Sequence, residues 1–480
     1  MNNVRVTTLA TAMLLCITAS RPVDAQTPSS PPPVPVNNSP ARTALYFQFG
    51  QSNAVGMAPL GQVPKSLEAA IKPGTIQELE LFEGSGESAK YRLRNLHYLR
   101  GPSDKATDSI EGVIAGPRAE TVIDVDTNAS NVAVSSFAGV AEKISEGYNS
   151  AASRVVLLKV ARGATLLVGQ DPNAVPVQGG VYKNGRRAIT RWLRGFVNTE
   201  VKAGRRVDLQ MVELMQGERE AALARMSNNP LHPEMQGWAT RLLTSIYPYY
   251  TEKFGVSFPL MVRQLQPIRI ANAPGAELER YTDIQNQIEE SVCRYTVTID
   301  DNGNIRSVTD NGASPNRIPT AYFLKHNRTT PNVADVHADY ALSRVFGIAK
   351  VNLQKYLETG DQGLTRFSIK RIAPVIMSYS VGDATTTTLT VNMFIDETAK
   401  IHMLAVPANA RRPAVWQIKT LGSTSISTVD INGNGWRQAF TVTGLKPQTA
   451  YDVYAVATDL KFGHTGSVFK VVTNFSTKPL

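Results

Sequence analysis

Four short apolar runs limit what this chain can fold into. They are ALYFQFG at 44–50, VVLLKV at 155–160, VDLQMVELM at 207–215 and FPLMVRQL at 258–265. None alternates apolar and polar residues over its full length. A strand with one wet face does alternate, so these runs read as strands covered on both faces, the condition of a parallel sheet. Segments of helical period lie between them. Phe137, Val140, Ala141 and Ile144 recur at three- and four-residue spacing, as do Ile189, Trp192, Leu193 and Phe196. After His337, residues Leu342, Val345, Phe346, Ala349, Leu353, Tyr356 and Leu357 form one long apolar stripe. Strands and helices in alternation predict an α/β fold, a three-layer sandwich around a parallel sheet. Residues 294–310 break the pattern. Alternating residues flank Asp301-Asn302-Gly303 there, which predicts a hairpin inserted into the domain.

The ends of the chain read differently. Arg5 precedes a mostly apolar stretch at 8–19, and Val23-Asp24-Ala25 ends in a small-x-small pattern. Such a stretch is too short for a lasting membrane anchor, so residues 1–25 are expected to be a cleaved secretory signal. Cleavage would leave Cys293 as the one cysteine, and no internal disulfide could form. Residues 26–40 are rich in Pro and Ser and read as a tether. The α/β domain is then expected over 41–368. From about residue 369 to 480 the chain is rich in Thr and Val, with Gly turns and little helical period, which predicts an all-β sandwich. Such a module is expected to fold alone and to contribute no catalytic group. No other stretch reaches transmembrane length, so a secreted or periplasmic protein with no membrane span is expected.

The formal net charge of +10 is spread out, and the longest basic runs are pairs such as Arg186-Arg187 and Arg205-Arg206. A nucleic-acid partner calls for clustered Lys and Arg with interleaved aromatics, and none is expected here.

The chemistry concentrates in three places. Gly50-Gln51-Ser52-Asn53 follows the first strand directly. That position puts the Ser52 hydroxyl at the carboxyl edge of the sheet, where α/β folds bind ligands. Asn53 either holds this loop or turns its amide to the same pocket. A serine needs a base. Among six histidines, His337 in NVADVHADY lies just ahead of the long amphipathic helix, and Asp335 could orient its ring. Met215-Gln216-Gly217-Glu218-Arg219-Glu220 ends the third strand. There the Gln216 amide could donate to an oxyanion. Glu218 and Glu220 read as loop-ordering or substrate-facing groups, or else as a solvated acidic turn. The histidines show no H-x-H or H-E-x-x-H pairing, so no metal and no cofactor is expected.

Together FGQSNAVGM, LMQGERE and DVH resemble the SGNH-hydrolase superfamily, and within it the sialate O-acetylesterase-like carbohydrate esterases. Arg162-Gly163-Ala164-Thr165 is similar to that family's segment after its second strand, and PLMVRQLQP followed by Gln285 is similar to its late strand and downstream glutamine. The resemblance covers roughly residues 41–360. It implies a flavodoxin-like sheet, with Ser52 as nucleophile and His337 as base. Gln216 and a backbone N–H near Gly163 would form the oxyanion hole. Gln51, Asn53 and Glu218 would line the pocket. It also implies an acetylated sugar or polysaccharide as substrate. Leu214 and Glu220 depart from the family's W-x-Q-G-E-x-D. The acid departs too: the family's spacing falls on Ala334, one residue before Asp335. Three outcomes stay open: a triad through an altered turn, a Ser–His dyad, or a catalytically weak or inactive carbohydrate-binding protein. GLKPQTAY at 444–451 resembles the corner of a fibronectin type III module, where a tyrosine locks a strand crossing. The sequence leaves the oligomeric state unknown.

Overall fold

The computed structural model describes residues 42–50, 58–59, 76–83, 90–95, 133–134, 137–146, 154–161, 166–170, 193–266, 275–326, 340–359, 367–369, 372–427, 438–460 and 463–479. The expected signal, tether and most of the loops around the proposed nucleophile and base lie outside them. Residues 40–480 form one compact unit.

Five parallel strands form the centre of that unit. They are β1 (Arg42–Gly50), β6 (Arg154–Ala161), β7 (Arg206–Met215), β8 (Leu260–Arg263) and β11 (Ile318–His326). Their spatial order is β6-β1-β7-β8-β11, with every neighbouring pair parallel. Counted along the chain this is the order 2-1-3-4-5 of a flavodoxin-like sheet. Two antiparallel pairs extend it. β3 (Ile76–Glu83) runs parallel to β6 and pairs with β4 (Lys90–Asn95). At the other edge β9 (Cys293–Ile299) runs parallel to β11 and turns back into β10 (Ile305–Asp310). The short strands β2 (Ala58–Pro59) and β5 (Ala133–Val134) pair separately, and β12 (Phe367–Ile369) pairs with the first half of β7.

The hairpin expected at 294–310 is therefore present, but it is part of the main sheet and forms its edge. Its turn is built by chemistry legible in the sequence. Asp300 Oδ1 accepts from the backbone N–H groups of Asn302 and Asn304 at 2.9 and 2.8 Å. Gly303 takes φ of +74°, which a side chain rarely tolerates.

Helices cover both faces. On one face, residues 193–202 and the run from α-helix Pro233–Arg241 through a π turn to Tyr247–Phe254 bury Leu193, Val197, Trp238, Leu242, Tyr250 and Phe254. They pack against Leu45, Phe47, Leu209, Val212 and Val262 of the strands. On the other face the long helix Tyr340–Thr359 lays Leu342, Val345, Phe346, Ala349, Leu353 and Leu357 over Met211, Met261, Tyr322 and Leu324. The apolar stripe expected after His337 is this buried face, except for Tyr356, which is exposed. The shorter helix Phe137–Ser145 lies beside it, tied by a bidentate pair between Glu142 and Arg344. This is the α/β/α sandwich anticipated from the unalternating runs.

A separate set of antiparallel strands follows. β13 (Ile376–Ala384), β14 (Leu389–Ile395) and β17 (Gln438–Val442) make a three-stranded sheet. β15 (Ala399–Pro407), β16 (Ser423–Ser427), β18 (Ala450–Asp459) and β19 (Phe469–Ser476) make a four-stranded one. Val391, Met393, Ile401, Met403, Val453 and Val471 fill the space between. At the corner before β18 the Tyr451 hydroxyl accepts the Lys446 N–H at 3.0 Å, the bond proposed from GLKPQTAY. One short helix, Val415–Leu421, lies among these strands.

The sandwich does not sit apart from the α/β half. Lys253, 1% exposed, bonds Asp396 and Glu397 at 2.7 Å each. Tyr249 donates to Asp396 at 3.1 Å, and Arg194 pairs with Glu397 and Asp459. The connecting segment also helps to close the α/β core with Ile369, Ile372 and Val375. The module expected to fold alone thus shares a buried charge network with its neighbour. Breaking a buried pair leaves an uncompensated ion, which costs about 3–5 kcal/mol. Asp396→Ala is expected to lower the unfolding free energy by about that amount in urea titration. A loss below about 1 kcal/mol, the size of an exposed pair, would show that the network does not join the two halves.

Candidate functional site

The chain order 2-1-3-4-5 reverses direction at β1, which leaves a crevice between the carboxyl ends of β1 and β7. The register fixes what meets there. Gly50, the last residue of β1, pairs with Ala161 of β6 on one side and with Met215 of β7 on the other. The next residues in the chain are Gln51-Ser52, Arg162-Gly163 and Gln216-Gly217 respectively. The strands that precede these three segments, two singled out by residue chemistry and Arg162-Gly163 by the family resemblance, therefore end side by side at the switch point. Gln51, Ser52, Asn53, Gly163, Asp335 and His337 themselves lie outside the described residues. The helix that follows His337 begins at Tyr340.

The third segment is described in full. Gln216 is 1% exposed, and Gly217 turns the chain into the helix Glu218–Met226 with φ of +146°. Only glycine fits. A Cβ on Gly217 would overlap the Glu289 carboxylate and lie 2.9 Å from Leu265 Cδ1 and 3.0 Å from Gln285 Cγ. Those three neighbours come from elsewhere in the chain. Leu265 follows β8, and Gln285 and Glu289 are one turn apart on the helix Gly275–Ser291. Asn286 on that helix grips the Leu265 backbone at both ends. Its Oδ1 accepts the Leu265 N–H at 2.8 Å, and its amide donates to the Leu265 carbonyl at 3.1 Å. A small cleft opens here, lined by Met215, Glu218, Arg263, Gln264, Leu265 and Gln266. The Arg263 guanidinium lies 4.1 Å over the Phe346 ring.

The acidic residues of this segment are not a solvated turn. Glu218, Glu220 and Glu289 are all buried. Glu220 Oε1 accepts the Leu167 N–H at 2.5 Å, and Oε2 accepts from Gln216 Nε2 at 3.4 Å. Burial pushes the Glu220 carboxyl up to about 7; its hydrogen bonds from Leu167, its own N–H and Gln216 oppose this, and the charge of Glu218 adds to it. Burial likewise holds Glu289 well above the ordinary carboxylate range, against the hydrogen bond from Gln285 at 3.1 Å. Among the described residues no group of three or more His, Cys, Asp or Glu is arranged to hold a metal ion. No described helix is long and apolar enough to cross a membrane.

Asn286 and Glu289 were not anticipated. Their signal was present: Gln285, Asn286 and Glu289 form a polar stripe on a helix that also buries Tyr281 in the core. A polar stripe on a buried face needs partners, and here Asn286 takes the Leu265 backbone while Gln285 donates to Glu289 on the same helix.

No known protein family's profile matches the chain, and no curated protein matches it. Solved structures give distant likenesses. A carbohydrate acetylesterase from Xanthomonas citri is 11% identical, over 90% of this chain and 79% of that one, with a TM-score of 0.36. A protein from Arabidopsis thaliana is 12% identical over 67% and 99%, with a TM-score of 0.34. A chitinase from Bacillus thuringiensis is 9% identical over 90% and 84%, with a TM-score of 0.19. Likenesses of this size do not assign an activity.

The carboxyl shifts have a direction that stability measurements can read. An acid with a raised folded pKa holds its proton in the native state after the unfolded chain has lost it. Stability then falls as pH rises from the unfolded to the folded value. For Glu220 that window runs from 4.5 to about 7, and the fall is on the order of 3 kcal/mol. Glu289 acts in the same direction. The difference in unfolding free energy between Glu220→Gln and wild type should therefore grow in favour of the variant across this window. A difference that stays flat with pH would show that Glu220 titrates as it does in the unfolded chain.

Proposed function

We propose that this chain is an exported serine esterase that removes O-acetyl groups from a carbohydrate. One observation carries the reading: the register that sets Gly50, Ala161 and Met215 abreast at the switch point. Gly50 precedes the Ser52 segment, Met215 precedes the oxyanion donor Gln216, and Ala161 precedes the segment that the family resemblance marks as a second oxyanion donor. The substrate class comes from the sequence resemblance to sialate O-acetylesterase-like enzymes. In this reading residues 1–25 are a signal, 26–40 a tether, 41–368 the esterase domain and 369–480 a fibronectin type III-like module. The three-plus-four strand sandwich and the Tyr451 corner support the last assignment. The module's work would be spacing or attachment.

The reaction runs as follows. His337 takes the proton of Ser52 as its oxygen attacks the acetyl carbonyl. The Gln216 amide, the Ser52 N–H and the backbone N–H near Gly163 receive the developing oxyanion. His337 returns the proton to the departing sugar hydroxyl. Water, activated by the same histidine, then releases acetate from the acetyl-enzyme. Asp335 orients the His337 ring. Gln51, Asn53 and Glu218 face the substrate.

Hydrolysis of p-nitrophenyl acetate and release of acetate from acetylated xylan should both occur with a chelator present. Ser52→Ala and His337→Ala should each remove nearly all turnover, because nucleophile and base act as a unit. Asp335→Ala should lower the acylation rate by roughly two to four orders of magnitude if the acid completes a triad. A loss well under tenfold would mean a Ser–His dyad. Activity abolished by the chelator and restored by zinc would overturn the serine mechanism. Binding to a glycan with no acetate release would favour an inactive carbohydrate-binding protein.

A further inference from the structure

We infer that Glu220 is a positioning residue that holds the Gln216 amide with its NH2 turned to donate. The inference rests on the esterase reading. Glu220 occupies the third position of the helix Glu218–Met226, and its side chain is buried beneath the crevice. One carboxylate oxygen accepts the N–H of Leu167, the other the amide of Gln216. Leu167 is 53 residues away in sequence and only four residues beyond Gly163. Its side chain is embedded in the core, 1% exposed, so Glu220 is bound to a fixed point of the segment that leaves β6. A single carboxylate thus joins Leu167 to Gln216.

The chemistry of the two bonds asks for a carboxylate in particular. Both partners are donors, and the carboxylate, ionised above about pH 7, accepts at both oxygens. A glutamine of the same shape accepts at one oxygen only. Its NH2 would face either the Leu167 N–H or the Gln216 NH2, donor against donor. The Leu167 N–H belongs to the backbone and cannot turn. The Gln216 amide can, and turning it places a carbonyl oxygen where the oxyanion needs a donor. Two titratable groups face Glu220, Glu218 from its own helix and Glu289 from the helix Gly275–Ser291, and both are acids. Neither can replace the acceptor that Gln216 would lose.

The test is a set of full-length variants assayed with p-nitrophenyl acetate and compared by thermal unfolding. Glu220→Gln should lower kcat by roughly a hundredfold, the effect of losing one oxyanion donor. KM should change little, and the melting temperature should stay or rise because a buried charge has been removed. A residue needed only for folding would give the reverse pattern. In a Gln216→Ala background, Glu220→Gln should cause no further loss, since the partner it orients is gone. Wild-type kcat in Glu220→Gln, or an equal further loss in the Gln216→Ala background, would overturn the inference. If Glu220→Gln does not fold, Glu220→Asp carries the test. It keeps both acceptors one methylene further back, so a reduced kcat at unchanged KM supports positioning and an undiminished kcat overturns it. Ser52→Ala is run alongside. Turnover that survives in Ser52→Ala removes the esterase reading and this inference with it. Turnover lost in Ser52→Ala but intact in Glu220→Gln removes this inference alone.

Discussion

All nine residues of β1 are buried, and the strand has parallel neighbours on both sides. A strand in that position has no water to satisfy its polar side chains, so each must find a partner inside the protein. Arg42 bonds Asp208 at 2.6 Å, Thr43 donates to Glu200 at 2.9 Å, and Gln48 reaches the Met215 sulfur at 3.4 Å. Asp208 and Met215 lie on β7, and Glu200 is in the helical stretch 193–202, so these bonds fix the register between β1 and what surrounds it. A one-residue slip would send Phe47 and Phe49 to the opposite face and strand Arg42 without its carboxylate. The same register decides which residues end together at the crevice. The geometry of the site thus follows from pairing at the far end of the strand.

The architecture was legible because burial on both faces leaves a mark in composition. Runs such as VVLLKV and VDLQMVELM cannot face water, and the long stripe after His337 has one period and one solution. The corner at Tyr451 was legible for a different reason. Its bond is local, five residues long, and set by a short motif. What the sequence hid were long-range partners. Nothing in the sequence singles out Lys253, yet it is buried against Asp396 and Glu397, more than 140 residues away. Glu220 reads as half of an acidic turn, and only the placement of Leu167 and Gln216 reveals that it is held from both sides. Hydrophobic period says which face of an element is buried. It does not say which polar group waits on the other side. The hairpin expected at 294–310 shows the same limit: its turn was evident from Asp301-Asn302-Gly303, but its place at the sheet edge depends on β11, which the turn does not touch.

Two buried charge systems in this protein invite comparison. At the junction with the sandwich, Lys253 and Arg194 face Asp396, Glu397 and Asp459. Opposite signs alternate there, and hydrogen bonds from Tyr249 and Val375 complete Asp396. That is how a structural network resolves the cost of burial. At the crevice, Glu220 and Glu289 have no ion pair among the described residues, and Glu218 adds a third acid beside them. Like charges in a dry site destabilise one another and raise the pH at which each acid ionises. A fold under selection for stability alone would replace such acids with apolar side chains of similar size, at no loss of packing. The arrangement is intelligible if an acceptor with two equivalent oxygens is needed at that point and no neutral side chain supplies one. The two systems differ in what their neighbours require. Lys253 needs a counter-charge, whereas Leu167 and Gln216 need a shared acceptor. Only the second requirement involves Gln216, which follows β7 directly at the carboxyl edge of the sheet.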